Sequence, residues 1–262
     1  MPLIESLLAA ISGGIVGIVL GLVGGGGSIL AVPLLVYLVG VTNPHVAIGT
    51  SALSVAASAA SALIGHARAG TVKWRCALMF AAAGSVGAVG GSTVGKAIDG
   101  QRLLFLFAIV LIVVGMTMFR GRSDPGNPDV VCTRTNAPKV VGFGLGSGAF
   151  SGFFGIGGGF LIVPGLVAST GMPMLNAISS SLVAVTAFGL TTAASYAISG
   201  LIDWPLAAVF IAGGIVGSFV GGLVSRQLAK KTAVLKTMFA GLIFFVAAYM
   251  LWQSGRTFWE VS

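Results

Sequence analysis

The chain has 262 residues, of which 56% are hydrophobic and only 8% charged, whereas about 25% of the residues in a soluble globular domain are charged. This composition excludes a soluble globule and indicates an integral membrane protein, with room for roughly eight to ten spans of about 20 residues each. The formal net charge of +8 would suit nucleic acid in a soluble protein. Here the basic residues lie between apolar segments, where they set orientation in the membrane, so nucleic acid is not an expected partner.

The first apolar segment, Ser6 to Val23, follows an amino terminus without the basic residues of a cleavable signal, so we expect it to be retained as a span. It ends at four consecutive glycines, Gly24 to Gly27. A glycine inside a helix costs about 1 kcal/mol relative to alanine, so the helix is predicted to break there. The next segment, Ile29 to Gly40, is much shorter than a span, which needs about 20 residues. It is therefore predicted to be a half-helix that enters and leaves by one face.

Three spans are predicted to complete the first half: Val46–Gly65, Cys76–Gly95 and Leu103–Phe119. The stretch that follows, from Arg120 to Lys139, is rich in proline, glycine, asparagine and charge, which is typical of a solvated linker. We therefore predict two transmembrane units, residues 6–119 and 140–253, joined by a linker over residues 120–139.

The second half repeats the order of the first. Its predicted elements are Val140–Phe154, a second glycine break, the half-helix Phe160–Thr170, and the spans Asn176–Ser199, Pro205–Ser225 and Thr237–Gln253. When the two halves are aligned, GGGGSILAVP returns as GIGGGFLIVP, AIGTS as AISSS, and GTVKW as GLIDW. The expected fold is an all-α polytopic membrane protein of two repeats, with about eight spanning helices and two half-helices.

The distribution of basic residues favours an inverted second repeat. If each half-helix folds back, every repeat crosses the membrane an odd number of times and the second copy is upside down. Eleven of the fourteen Lys and Arg residues then share one face, and only Lys96, Arg102 and Arg256 lie on the other. Parallel repeats would divide them eight to six. The positive-inside rule therefore predicts a cytoplasmic linker and both termini outside.

Inverted repeats with broken helices near the midplane are the architecture of secondary transporters. The half-helix starts near Ser28 and Gly159 carry free N–H donors and partial positive charge, so a small anion is the expected ligand. Close helix packing is the alternative interpretation of the glycines, and bonding to the backbone or to a neighbouring helix that of the hydroxyls. The predicted substrate-binding residues are those of the two breaks and of the helices that follow them: Gly24, Gly25, Gly26, Gly27, Ser28, Thr50, Ser51, Gly155, Gly157, Gly158, Gly159, Asn176, Ser179, Ser180 and Ser181.

In their order and spacing, the paired glycine motifs, AIGTS, and GTVKW with GLIDW resemble the TauE/SafE sulfite exporter family, over about Ser6 to Gln253. The resemblance implies a multi-pass transporter of the bacterial inner membrane. Its expected substrates are small sulfur-containing or organic anions, such as sulfite or sulfonates, moved by alternating access.

His45 follows the first half-helix and is a candidate proton relay, because histidine is the side chain whose charge changes near neutral pH. A position in an interfacial loop is the alternative. The stretch Gly90 to Ala97, GGSTVGKA, almost matches a phosphate-binding loop, but it lacks the final hydroxyl and ends an apolar span, so nucleotide binding is not expected. No nucleophile, base and orienting group stand out together, so an enzyme is not expected either.

The two cysteines, Cys76 and Cys132, are predicted to form neither a disulfide framework nor a metal site. No cofactor and no metal are expected; the expected partners are a small anion and the lipid bilayer, and a homo-oligomer stays open. Two other functions stay open as well. A metal-ion or other cation carrier would need intramembrane carboxylates, thiolates or several histidines. A non-transporting membrane anchor or assembly subunit would explain the apolar spans, but it gives no reason for two broken helices in register.

Overall fold

A computed structural model describes residues 3–120, 127, 132, 136–155, 159–228, 241, 246 and 248 of the protein. The predicted last span and most of the linker lie outside these residues. Within them the chain forms, in order, α1 (Leu3–Val23), a 3₁₀-helical segment (Gly24–Leu30), α2 (Ala31–Pro33), a π-helical segment (Leu34–Val39), α3 (Pro44–Arg68), α4 (Trp74–Lys96), α5 (Gly100–Arg120), α6 (Ala137–Phe154), α7 (Gly159–Thr170), α8 (Met174–Ile198) and α9 (Trp204–Leu228).

The described helices confirm an all-helical, polytopic membrane protein. Five helical stretches of this part of the chain are long and apolar enough to cross a membrane: Leu3–Val39, Pro44–Arg68, Trp74–Lys96, Met174–Ile198 and Trp204–Ser225. Large apolar side chains such as Val86 and Leu223 are exposed on their outer surface, as expected where lipid is the solvent.

Both helix breaks begin at a glycine in the left-handed conformation, Gly24 with φ of 71° and Gly155 with φ of 67°. The second half-helix, α7, starts one residue before its predicted position and ends at Thr170 as predicted. The first is not a uniform helix from Ile29 to Gly40 as predicted, because it passes from 3₁₀-helical through α-helical to π-helical. The glycine run starts the irregular part, and Pro33 interrupts the regular ladder because it has no N–H to donate.

Two helix pairs cross with their backbones in contact, and the two crossings use corresponding residues. In each pair both helices run in the same direction, and a Cβ atom on the first residue would collide with the backbone of the second. Such close approach is what glycine permits between helices in a membrane. The colliding pairs are Gly13 with Phe210, Gly17 with Gly214 and Gly21 with Ser218 between α1 and α9, and Gly144 with Phe80, Gly148 with Gly84 and Gly152 with Ala88 between α6 and α4.

The centre of the bundle is formed by α3 and α8, which are antiparallel because Gly49 packs on Tyr196 whereas Gly189 packs on Ala52 and Ala56. Other contacts show that α3 and α9 run in the same direction, as do α4 and α8. Helices α1, α3 and α9 therefore run one way, and α4, α6 and α8 run the other. The first helix of each half thus points in the opposite direction to its counterpart, which supports the predicted inverted repeat.

These directions give the bundle two ends. We call the end where α3 finishes at Arg68 and α4 begins at Trp74 the linker end, and the end where α4 finishes at Lys96 and α8 at Ile198 the Lys96 end. The positive-inside rule assigned eleven basic residues to the same face as the linker. Those of them that the structure describes all lie at helix ends or in loops of the linker end.

The prediction that the cysteines form no disulfide is wrong, because Cys76 and Cys132 are bonded, with an S–S distance of 2.03 Å and Cα atoms 5.3 Å apart. The bond fastens the linker to the first turn of α4. The linker also lies on the loop after α7, where Asn127 N donates to Gly171 O at 2.9 Å. The pairing was not visible in the sequence because the cysteines are 56 residues apart and only the path of the linker brings them together.

The helix crossing between α4 and α6 yields a test on neighbouring glycines of α6. Gly148→Ala would push a methyl group into the carbonyl of Gly84, and overpacking of this kind costs about 1–3 kcal/mol or more. Gly146→Ala meets nothing within 4 Å and should gain up to about 1 kcal/mol of helix propensity. Thermal unfolding in detergent should show a lower midpoint for Gly148→Ala alone. Equal midpoints for the two variants would contradict the crossing.

Candidate functional site

The two helix breaks meet each other inside the bundle. Gly25 and Gly159 are in backbone contact, since a Cβ atom on Gly159 would overlap the carbonyl oxygen of Gly25. A Cβ atom on Gly25 would in turn lie 2.7 Å from the carbonyl oxygen of Gly159. The starts of the two half-helices are thus brought together as predicted from their sequences, and in this structure they touch directly.

Each break also rests on the helix that follows the other break. A Cβ atom on Gly24 would lie 2.7 Å from the carbonyl oxygen of Ile178 in α8, and one on Gly155 would overlap the side chain of Ile48 in α3. Ile48 and Ile178 are counterparts in the alignment of the two halves. The break region therefore lies between the ends of α1 and α6 and the first turns of α3 and α8.

Buried hydroxyls satisfy part of the exposed backbone at the first break. Gly25 N donates to Ser181 Oγ at 3.1 Å, and Ser181 Oγ donates to Ile178 O at 2.7 Å. Ser28 Oγ donates back to Gly25 O at 2.8 Å. Ser51, the counterpart of Ser181, donates to Ile48 O at 2.9 Å. These serines, which the sequence predicted as substrate ligands, are all fully buried.

The structure describes only some of the other glycines of the two runs. Gly26 and Gly27 are buried in the 3₁₀-helical segment, and Gly27 folds back against α1, where a Cβ atom would overlap the backbone of Leu20. Gly157 and Gly158 lie outside the described residues.

Two of the predicted ligands, Thr50 and Ser180, accept hydrogen bonds from loop residues. Asp203 N donates to Thr50 Oγ1 at 3.0 Å, and Lys73 N donates to Ser180 Oγ at 2.9 Å. The two bonds join corresponding residues of the two halves. Each hydroxyl accepts a backbone N–H at the start of a helix, α9 or α4, which would otherwise lack an intrahelical partner. The hydroxyls thus hold the GLIDW and GTVKW loops to the bundle.

Asn176 and Ser179 belong to a polar network at the linker end. Asn176 Nδ2 donates to Thr71 O at 2.8 Å. Ser179 Oγ lies 2.8 Å from Thr71 Oγ1 and 3.0 Å from His66 Nδ1, and His66 Nε2 lies 3.4 Å from Gly21 O. The network therefore ties the end of α1 to α3, α8 and the loop before α4.

Sequence reasoning missed His66 and Thr71 as members of this network. His66 is not among the residues predicted from the sequence, yet its side chain is only 1% exposed. The helical spacing of His66 from the small residues Ala59 and Ala62 was the available signal, because residues four and seven apart share one face of a helix.

His45 lies in the first turn of α3 at the Lys96 end, away from the contact between the breaks. Its backbone N donates to Asn43 Oδ1 at 2.9 Å, which caps the helix. Its ring lies 6.4 Å from that of Tyr196. Nowhere in the described part of the chain do three or more His, Cys, Asp or Glu side chains come together in a group that could hold a metal ion.

Residues 9–250 match the family described as "Sulfite exporter TauE/SafE". The chain belongs to this family. It is 50% identical over 258 residues to a "Probable membrane transporter protein" of Xylella fastidiosa strain 9a5c, a match that covers 96% of this chain and 97% of the relative. It is 27% identical to the "Probable membrane transporter protein YunE" of Bacillus subtilis strain 168, covering 87% and 92% of the two chains. No solved structure matches it.

A more distant TauE/SafE relative is the "Probable membrane transporter protein MJ0441" of Methanocaldococcus jannaschii, 26% identical over 93% of this chain and 94% of the relative. Together the family and these names identify a membrane transporter and not an enzyme. The resemblance to TauE/SafE proteins that was seen in the motifs is therefore confirmed, and so is the multi-pass membrane protein predicted from the apolar segments.

The bond between Gly25 N and Ser181 Oγ gives a test of the break in this TauE/SafE protein. Ser181→Ala leaves a buried N–H without its acceptor, which should cost about 1–3 kcal/mol. Ser54→Ala is the matched control, because Ser54 is equally buried but donates within its own helix, to Thr50 O. The thermal midpoint in detergent should fall more for Ser181→Ala. A larger fall for Ser54→Ala would show that the Ser181 bond adds nothing.

Proposed function

We propose that this protein is a secondary transporter that carries a small anion across the bacterial inner membrane by alternating access. The proposed substrate is a sulfur-containing oxyanion or organosulfonate, with sulfite as the first compound to test. The observation that carries the proposal is the meeting of the two glycine breaks at Gly25 and Gly159 inside a member of the TauE/SafE family.

The chemistry of the breaks favours an anion over a cation. Helix α7 begins at Gly159, so its first N–H groups and the positive end of its dipole lie at the contact between the breaks. The neighbouring polar side chains, Ser28, Ser51 and Ser181, are neutral hydroxyls; each donates to a backbone carbonyl in this structure and would have to turn away from it to donate to an oxyanion. A cation would instead need acidic side chains or several histidines, and no such group stands among the described residues at the breaks.

The contact between the breaks also suggests how transport proceeds. Gly25 and Gly159 touch through their backbones, so an anion the size of sulfite enters between them only when the breaks move apart. Because each break belongs to a different half of the chain, relative rocking of the halves separates them. In this proposal the structure is a state closed at the breaks, and an ion gradient drives the cycle.

The proposed orientation places the linker end in the cytoplasm and the termini outside. Its support is the basic residues that gather at the linker end, among them Arg68, Lys73 and Lys139, since cytoplasmic loops carry the excess of Lys and Arg. The disulfide between Cys76 and Cys132 lies at the same end. Disulfides persist mainly in oxidising compartments, so the bond argues for the opposite orientation and makes a direct measurement necessary.

A thermal-shift screen tests the substrate class. We expect sulfite, thiosulfate or a sulfonate to raise the unfolding midpoint of the detergent-purified protein, because a ligand at about 100 times its Kd stabilises the fold by about 2.7 kcal/mol. Gly159→Ala should abolish the shift, since its methyl group occupies the contact between the breaks. Gly165→Ala in the same helix should keep it, because the atom nearest to its methyl group, in the Phe80 ring, would lie 3.3 Å away and the three nearest atoms include none of the backbone.

The screen includes simple carboxylates and divalent metal ions, so its outcomes separate the alternatives. A shift by metal ions alone would favour a cation carrier, and the absence of any shift would favour a membrane anchor or assembly subunit. Either result would overturn the anion site at the breaks.

Cysteine labelling tests the orientation. In a Cys76→Ser, Cys132→Ser background, Asn127→Cys in the linker should react with an impermeant maleimide in inverted membrane vesicles and stay unlabelled in spheroplasts. Labelling in spheroplasts instead would place the linker outside, where the disulfide forms readily, and would reverse the proposed orientation.

A further inference from the structure

We propose that the Lys96 end carries a second anion site, in which Lys96, Tyr196 and His45 bind the oxyanion before it reaches the breaks. The three side chains come from the last residue of α4, the last turn of α8 and the first turn of α3. The inference rests on the proposed function, because it takes the transported ligand to be a small oxyanion.

Tyr196 supplies the observation that points to a ligand. Its side chain is fully buried, and its hydroxyl has no hydrogen-bond partner among the described residues. Buried tyrosine hydroxyls are normally hydrogen-bonded, since an unpaired one loses its water without compensation. A bound ligand that accepts a hydrogen bond would restore the missing partner.

Lys96 places a positive charge beside Tyr196. Its Nζ atom lies 5.7 Å from the centre of the tyrosine ring and donates to Ser195 O at 3.1 Å and to Ser199 Oγ at 3.0 Å. These bonds hold the ammonium group at the end of α8. An ammonium group has three N–H donors, so one donor is left for an anion.

His45 approaches the same tyrosine from α3, with 6.4 Å between the two ring centres. Its Nδ1 atom is buried without a hydrogen-bond partner among the described residues. The position in the first turn of α3 adds the positive end of a helix dipole, which favours an anion further.

Two of the acidic residues described at this end, Asp99 and Asp203, are engaged elsewhere, and a third, Glu5, lies in the first turn of α1. Asp99 Oδ1 accepts from Gln101 N at 3.1 Å and from Arg102 N at 3.2 Å, at the start of α5. Asp203 Oδ1 accepts from Leu206 N at 3.0 Å, at the start of α9. Both carboxylates cap helices, and neither is the bonded partner of Lys96.

At the linker end, the residue that corresponds to Tyr196 has hydrogen-bond partners within the protein. The counterpart of Tyr196 in the first half is His66, and its ring nitrogens lie 3.0 Å from Ser179 Oγ and 3.4 Å from Gly21 O. The linker end is thus closed by bonds within the protein, whereas the Lys96 end presents groups that lack partners in the described chain.

One face of α8 extends from the second site toward the breaks. Thr192 lies one turn before Tyr196, is fully buried, and its hydroxyl also lacks a partner among the described residues. Val185 continues the same face, and a Cβ atom on Gly25 would lie 2.7 Å from its side chain. An anion leaving Tyr196 would therefore meet Thr192 before it reaches the first break.

Tyr196→Phe is the decisive variant, because it removes only the hydroxyl that lacks a partner among the described residues and keeps both the ring and the Cβ atom that packs on Gly49. We expect an unfolding midpoint equal to or above that of the wild type, and a KM for sulfite uptake into proteoliposomes that rises about tenfold, the loss expected for one hydrogen bond to a charged ligand. An unchanged KM would mean that the hydroxyl binds only water, and it would overturn the second site.

Lys96→Gln should raise the KM for sulfite in the same direction, while Lys139→Gln, at an exposed lysine of the linker end, should leave it unchanged. Equal effects of the two substitutions would reduce the role of Lys96 to general surface charge and contradict the site. If the wild type transports sulfite but neither Tyr196→Phe nor Lys96→Gln alters the KM, the second site alone fails. If the wild type neither binds nor transports any anion, the proposed function fails and the second site with it.

Discussion

The constraint on which this structure depends is that backbone groups in a membrane must find partners inside the protein. A helix that stops in hydrocarbon leaves N–H and C=O groups without water, so a break survives only where other parts of the chain cover it. Here the two breaks cover each other. Gly25 lies against Gly159, and the Gly25 N–H donates to Ser181 on the helix that follows the second break. Either break alone would expose its backbone, which explains why both halves of the chain carry one.

The remaining architecture follows from these breaks. Because the segment after Gly24 turns back along α1, α3 enters the bundle in the same direction as α1, and the second half of the chain begins in the opposite direction. The two halves then face each other through α3 and α8, and the glycines of α1 and α6 contact α9 and α4. Lipid gives no hydrophobic drive to helix association, so these contacts must be close enough for dispersion to hold them. This close packing therefore requires glycine at the helix contacts.

The sequence was sufficient for the features that depend on local chemistry. Apolar runs located the described spans to within a few residues, and the glycine runs located both breaks, because helix propensity and hydrophobicity are properties of the segment itself. Features that depend on distant neighbours were not accessible. Nothing near Cys132 indicates that it meets Cys76, and nothing near Thr50 or Ser180 indicates that their hydroxyls accept from the loops before α9 and α4. His66 was missed for the same reason, since its partners come from three other elements.

The duplicated frame does not make the two ends equivalent. Where the linker end has His66, Thr71 and Ser179 in one network, the corresponding positions of the Lys96 end are Tyr196, Leu201 and Gly49. Three mutually bonded groups at one end thus correspond to positions at the other end where the Tyr196 hydroxyl has no partner among the described residues. A symmetric protein would hold its inward-open and outward-open states at equal free energy. In the proposed cycle, the hydrogen bonds of the His66, Thr71 and Ser179 network would stabilise closure at the linker end, whereas the groups that lack partners among the described residues would favour a ligand at the Lys96 end. In that proposed cycle, replacing one of these side chains would shift the balance between the two states without altering the frame.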